Sequence, residues 1–351
     1  MFALECFAIY VTGAWVFSRN TSLRRNTKNS PVRIPILHFR VLLFLAAAVL
    51  LAPAGAQAWQ LNIPPDAIEE MRLMYSGKMD QAILLARKLE ADHPEHPLGY
   101  LLEADALWWK IYCTSAERKY NTVDAWSHVR GPEDDTYLAL ADKVAQLAEA
   151  AIAKSDTAEM ELYAGMGYAL RARLLGLRYE KRSTARAGVE ARRHLLLCLE
   201  LDPNMADAYT GLGLYNYYVD TLSAIAKVLR FFMGIPGGNK GVGLHQLEMA
   251  SAKGELSQTE ARFYMAKNLR NYDRDYARAA QTAAPLTSEF PENPLFLLLA
   301  GDIAAKLSHN DEAAARFRAA AAVPVQDHAC AGQVQKLSRE ALAALSAPQK
   351  N

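Results

Sequence analysis

Little in this chain marks it for catalysis or for nucleic acid. Four cysteines in 351 residues are too few for a disulfide framework or a zinc ribbon. Lys and Arg number 39 against 38 Asp and Glu, so the strong basic excess of a dedicated nucleic-acid binder is missing. No G-x-S-x-G or H-E-x-x-H motif occurs, which removes two common signatures of hydrolases. From Asp66 onward, strand-like alternation is almost absent, and with it the expectation of a sheet. At 51% apolar and 22% charged residues, the chain is neither disordered nor collagen-like.

What is present first is an address. Two apolar runs, Met1–Phe17 (broken by Glu5) and Val41–Leu51, precede everything else. Arg33, His38 and Arg40 stand before the second run, and Ala52-Pro53-Ala54-Gly55-Ala56-Gln57-Ala58 follows it. A basic stretch, an apolar stretch and an A-x-A ending make a secretory signal, cut after Ala58 (with Ala56 as the other small residue) to leave Trp59 first. The second run is too short for a membrane span, which needs about 20 apolar residues. A 58-residue leader exceeds the usual length of about 15–30. A start at Val32 gives a leader of normal layout; the alternative keeps Met1–Phe17 as a membrane segment. The expectation is an exported protein, periplasmic or in the cell envelope, membrane-anchored if the leader is retained.

Without residues 1–58 the chain holds 33 basic and 37 acidic residues, a net of −4. Cys113, Cys198 and Cys330 remain. An odd number in an oxidising compartment suggests buried thiols rather than a planned bridge set. Cys198 lies in the apolar run Leu195–Leu199 and reads as core.

The body of the chain repeats itself. Ala82 is followed by Leu89 and Pro94, Ala191 by Cys198 and Pro203, and Ala279 by Leu286 and Pro291. In each case the alanine-to-proline offset is twelve residues; from Ala313 to Pro324 it is eleven. Ala279 and Ala313 are 34 residues apart, the period of the tetratricopeptide repeat. The small residue lets paired helices approach, and the late proline ends the second helix because it lacks the N–H to continue it. One helix pair cannot bury its apolar faces alone, so such units stack. The spacing predicts an all-α array of irregular helical hairpins over 59–345, with 346–351 as a disordered tail. Two long helices, Tyr137–Lys154 and Ala158–Leu177, fill the gap between the first two units. Thr114–Asp135 reads as a loop or broken helix, and Pro285 as a kink.

The stretch Gly211-Leu212-Gly213-Leu214-Tyr215-Asn216-Tyr217-Tyr218, then Leu222–Lys227, Gly237–Leu244, Glu260-Ala261 and Phe290-Pro291-Glu292-Asn293-Pro294 carries more than a generic repeat. It resembles a group of exported bacterial tetratricopeptide proteins. More distantly it is similar to the eukaryotic family that includes the fungal inclusion-body-clearance protein of the outer mitochondrial membrane. The likeness covers roughly residues 66–325. It implies an all-helical scaffold or adaptor, with no catalytic residues to carry over. The eukaryotic members lack such a leader, so their cellular role does not transfer.

Gly234–Gly241 looks like a phosphate loop but has Asn239 and Gly241 where glycine and Ser/Thr are needed. It reads as an inter-helix turn, with Asn239 capping the next helix. His93 and His96 flank Pro94 without a third ligand at metal spacing. The basic run Arg171–His194 reads as a solvated helix face. The segment Leu222–Met233, with Leu229, Phe231, Phe232 and Met233, reads as a helix that either packs in the array or lies on lipid. Repeat positions place Asp105, Trp108, Trp109, Tyr217, Tyr218, Tyr264, Asn268 and Asn271 on the concave face. Aromatics there offer contact area, and asparagines offer pairing to a peptide backbone. The expected function is contact with a protein or peptide, with no cofactor, no metal and no reaction. The alternatives are an envelope protein held by its leader, or an enzyme with a pocket between helices.

Overall fold

Prolines and short polar side chains set the helix starts. The computed structural model describes residues 61–119 and 122–346. The leader, the cleavage residues Ala56, Ala58 and Trp59, and the tail from 347 onward lie outside the described residues. Fourteen α-helices follow one another among the described residues. They are α1 (Pro65–Tyr75), α2 (Met79–Asp92), α3 (Pro97–Ser115), α4 (Asp134–Ile152), α5 (Ala158–Leu177), α6 (Lys181–Leu201) and α7 (Ala208–Asp220). Then come α8 (Ala224–Phe232), α9 (Lys240–Lys253), α10 (Gln258–Asn268), a π-helical turn (Leu269–Asp273), α11 (Tyr276–Glu289), α12 (Pro294–Lys306), α13 (Asn310–Ala322) and α14 (His328–Ser346).

Side-chain acceptors take up N–H groups that a helix start leaves without an internal partner. His96 Nδ1 accepts from Leu98 N at 3.2 Å, so the histidine pair serves a helix cap here. Asn239 Oδ1 accepts from Val242 N at 3.0 Å, and Asn293 Oδ1 from Leu295 N at 2.9 Å and Phe296 N at 3.2 Å. The repeat alanines Ala82, Ala191, Ala279 and Ala313 are all buried. The two long helices stand where expected, and α11 runs through Pro285.

Thr114–Asp135 differs from expectation. It holds a two-stranded hairpin, β1 (Ala116–Lys119) against β2 (Thr122–Ala125), with Ala116 opposite Ala125. Four-residue strands are too short for alternation to stand out in a sequence. Burial of Ala116 and Val123 against the helices holds the hairpin in place.

Most of the described helices pack mainly on a neighbour in sequence, and α7 also packs closely on α9, past α8. The helices α1, α3, α5, α7 and α10 touch in succession as well. An open row of hairpins would bring only such neighbours together. Here the ends also meet. Tyr75 of α1 packs against Phe290 and Phe296, and Asn293 Nδ2 donates to the Tyr75 carbonyl at 2.9 Å. Leu61 N donates to Glu255 at 3.0 Å. Trp109, Phe263 and Phe296 form an edge-to-face group that fills the space between α3, α10 and α12.

The cysteines correct the sequence expectation. Cys113 of α3 and Cys330 of α14 form a disulfide 217 residues apart, leaving Cys198 as a buried free thiol. An odd count did not mean three thiols; one pair links α3 to α14 and the third is core. Burial pushes the Cys198 thiol up to about 12, which keeps it protonated and poorly nucleophilic.

The α7–α9 contact rests on glycine. A Cβ at Gly243 would stand 2.7 Å from the Gly213 carbonyl oxygen and 2.7 Å from Tyr217 N. Backbone cannot yield as a side chain can. Gly243→Ala is therefore expected to cost about 2–3 kcal/mol, read as a lower denaturant midpoint. An unchanged midpoint would show that the two helices separate freely.

Candidate functional site

The inner helices carry charge on their apolar stripes. Arg173 sits one turn from Leu170 and beside Leu174 on α5, both buried. Its guanidinium lies 4.4 Å from the Trp108 ring centroid and donates to three partners. These are Asp105 of α3 at 2.7 Å, Glu260 of α10 at 2.5 Å and the Tyr137 hydroxyl of α4 at 3.1 Å. The Arg173 side chain is 13% exposed. A planar fork matched to two carboxylates suits arginine, and the ring beneath it adds cation–π attraction.

Glu70 of α1 faces the same group. It is fully buried and neither carboxylate oxygen has a hydrogen-bond partner. Burial, with the charge of Asp105 adding to it, pushes its carboxyl well above the usual range. Burial also raises Asp105, against the pull of Arg173. Glu260 is pushed up to about 7 by burial, opposed by Arg173 and helped by Asp105. One cation among three enclosed carboxyls is an electrostatic deficit, and protons make up the difference.

A second polar group lies between the hairpin, α7 and α10. Asp124 of β2 accepts from the Tyr112 hydroxyl at 2.9 Å, Lys267 Nζ at 3.0 Å and Asn271 Nδ2 at 3.2 Å. Asn268 Oδ1 accepts from the Tyr218 hydroxyl at 2.9 Å, while its Nδ2 is buried without a partner. The Tyr217 hydroxyl donates to Asp273 at 2.7 Å. Asp302 of α12 accepts from Val123 N at 2.7 Å and pairs with Arg270 at 3.2 Å. These bonds tie the hairpin to the π-helical turn and α12.

The eight residues assigned to a concave face are thus brought together, but mostly inside. Asp105, Trp108, Trp109, Tyr217, Tyr264 and Asn268 are buried, and Trp108 Nε1 donates to the Tyr264 hydroxyl at 3.0 Å. Tyr218 and Asn271 are half-buried. The face is filled because facing helices touch, so these aromatics meet each other. Beside Tyr218, Tyr272 is 54% exposed and stacks edge-on to it.

The basic run also differs from expectation. Arg173, Arg178 and His194 point inward, Arg178 holding Asp134 through two bonds of 2.6 and 2.7 Å. His194 Nδ1 lies 2.5 Å from Glu161. Lys181, Arg182, Arg186 and Arg193 are the exposed remainder. The sequence did hold a signal for Arg173 and Arg178, since a charge three or four residues from buried leucines sits on the wrong stripe for solvent.

Among the described residues, no group of three or more His, Cys, Asp or Glu is placed to hold a metal ion. No described helix is long and apolar enough to cross a membrane. Compared with known proteins, the chain matches no family model and no curated protein.

Proposed function

We propose that the chain is an exported, non-catalytic scaffold or adaptor that binds a protein or peptide through its stacked helical hairpins. It is read as a closed and irregular relative of tetratricopeptide arrays. The observation that supports this most is a tyrosine–asparagine edge above a self-paired polar floor. Tyr218, Asn271 and Tyr272 reach the surface, while the groups beneath them bond to one another. A rigid floor holds the edge residues in place before a partner arrives, which lowers the entropy cost of binding. The Cys113–Cys330 bond supports export, because such bonds persist in oxidising compartments.

The test is a photo-crosslinking side chain placed at Tyr272 and, as a control, at Leu84, which is 67% exposed on α2. Irradiation in cells is expected to give one discrete adduct from position 272 and none from 84. Tyr218→Ala should weaken that adduct several-fold with helix content unchanged by circular dichroism. The same adducts from both positions, or none from either, would remove this edge from the account.

A further inference from the structure

Cationic side chains gather where the hairpin, the π-helical turn and α12 meet. The hairpin ladder sets Arg118 opposite Val123, and the side chains of a facing pair share one side of the ribbon. Val123 N donates to Asp302 of α12 at 2.7 Å, which brings that side of the hairpin to the helix. Burial raises Asp302, against the pull of Arg270, the Val123 N–H, Arg118 and Lys306. Lys306 follows Asp302 by four residues and so shares its face of α12. Arg270 reaches Asp302 from the π-helical turn at 3.2 Å, and Arg274 ends that turn with φ +57°.

The charges at this junction do not balance. Among the described residues, the side chains of Arg274 and Lys306 have no hydrogen-bond or ion-pair partner. Lys306 is half-buried and Arg274 is exposed. Burial holds the Lys306 ammonium below the usual lysine range, with Arg270, Arg118 and Arg274 adding to it and Asp302 opposing. A half-buried ammonium beside guanidinium groups costs stability unless an anion joins them. The chain beyond residue 58 is net acidic, so the excess is local.

We propose that Arg118, Arg270, Arg274 and Lys306 form a binding site for a phosphate group, free or carried as a monoester on a small molecule. Four cations against the single Asp302 carboxylate leave more positive charge than one further carboxylate would answer. A phosphate ester carries about −1.5 to −2 near neutral pH and has three strong acceptor oxygens. Guanidinium forks match that geometry, and a flexible ammonium fits beside them. Arg274 and Lys306 supply the new bonds, while Arg118 and Asp302-held Arg270 shape the field. Asn271 and Tyr272 lie between Arg270 and Arg274 on the same turn, so a bound phosphate steadies the segment that carries the exposed edge. The site goes beyond the adaptor reading and stands without it.

The test is isothermal titration calorimetry of the full chain at fixed ionic strength, with inorganic phosphate, glycerol phosphate and acetate. Saturable binding is expected for both phosphates and none for acetate; the tighter of the two tells a free from an esterified source. Lys306→Gln should weaken phosphate binding by about tenfold and Arg274→Gln by about threefold. In phosphate-free buffer Lys306→Gln should melt no lower than wild type, because it relieves repulsion, and added phosphate should then lift wild type above it. Arg274 is exposed, so its replacement keeps the fold intact and the test open. The absence of saturable phosphate binding would overturn the proposal, as would equal affinity in wild type and both variants. Acetate bound as tightly as phosphate would assign the cluster to carboxylates and overturn it too.

Discussion

Reducing the protein, or replacing Cys113 and Cys330 together by serine, is expected to lower its stability by up to about 5 kcal/mol. The two residues stand 217 apart in sequence. A bond across so long a loop removes much of the freedom of the unfolded chain, and the chain-entropy account then gives its largest contribution. For a chain of this size the loss corresponds to a fall in Tm of roughly 10 °C. The effect should appear first at the seam between α3 and α14, which the bond holds. Hydrogen exchange after reduction should therefore rise in α14 before it rises in α5 or α6. A reduced protein with unchanged Tm would mean that packing alone closes the array.

The second large effect concerns the interior carboxyls. In an unfolded chain Glu260 and Asp105 ionise near their ordinary values of 4.5 and 3.8. In the fold they hold their protons to higher pH, as does Glu70. Between the two limits the native state binds more protons than the unfolded state, so stability falls as pH rises. The contribution is complete below about pH 4 and is lost as pH climbs through the raised values, the Glu260 step centring near 7. For Glu260 alone the loss is roughly 2–4 kcal/mol. Denaturant midpoints should decline from pH 5 to pH 8, and Glu260→Gln should flatten that slope.

Arg173→Met sharpens the same point. It strands Asp105 and Glu260 without their shared cation, at an expected cost of about 3–5 kcal/mol at pH 8. At pH 5, with Glu260 protonated, the cost should be clearly smaller. Glu70→Met should act oppositely, raising stability at pH 8 by about 1–3 kcal/mol, because it removes a buried carboxyl that has no partner. Losses from Arg173→Met that are equal at both pH values would place these acids in their ordinary ionised state.

Local order was legible in the sequence, and long-range closure was not. The alanine-to-proline spacing works because a small residue at a helix contact and a stop after the helix are both local demands. Asn239 could be read as a cap because a cap needs only two or three residues of context. Trp108 and Tyr264 are 156 residues apart, and nothing in either neighbourhood names the other. Repeat matching placed both on one face, and that much agrees with their meeting. It could not say how closely the facing helices approach, which decides whether the face is a groove or an interior. The hairpin at Ala116–Ala125 escaped notice because its strands are four residues each and pair by backbone. Arg173, Glu70 and Glu260 were missed because a charge is expected outside; their place between buried neighbours on a helix stripe was the available clue.

The central claim is that the first and last hairpins are joined, so that the inner face serves the fold. Peptide mapping of the protein recovered from an envelope fraction, alkylated without reductant, tests it most directly. The account predicts one linked pair of peptides carrying Cys113 and Cys330, with Cys198 modified only after denaturation. Three separately alkylated cysteines, or a link through Cys198, would contradict it.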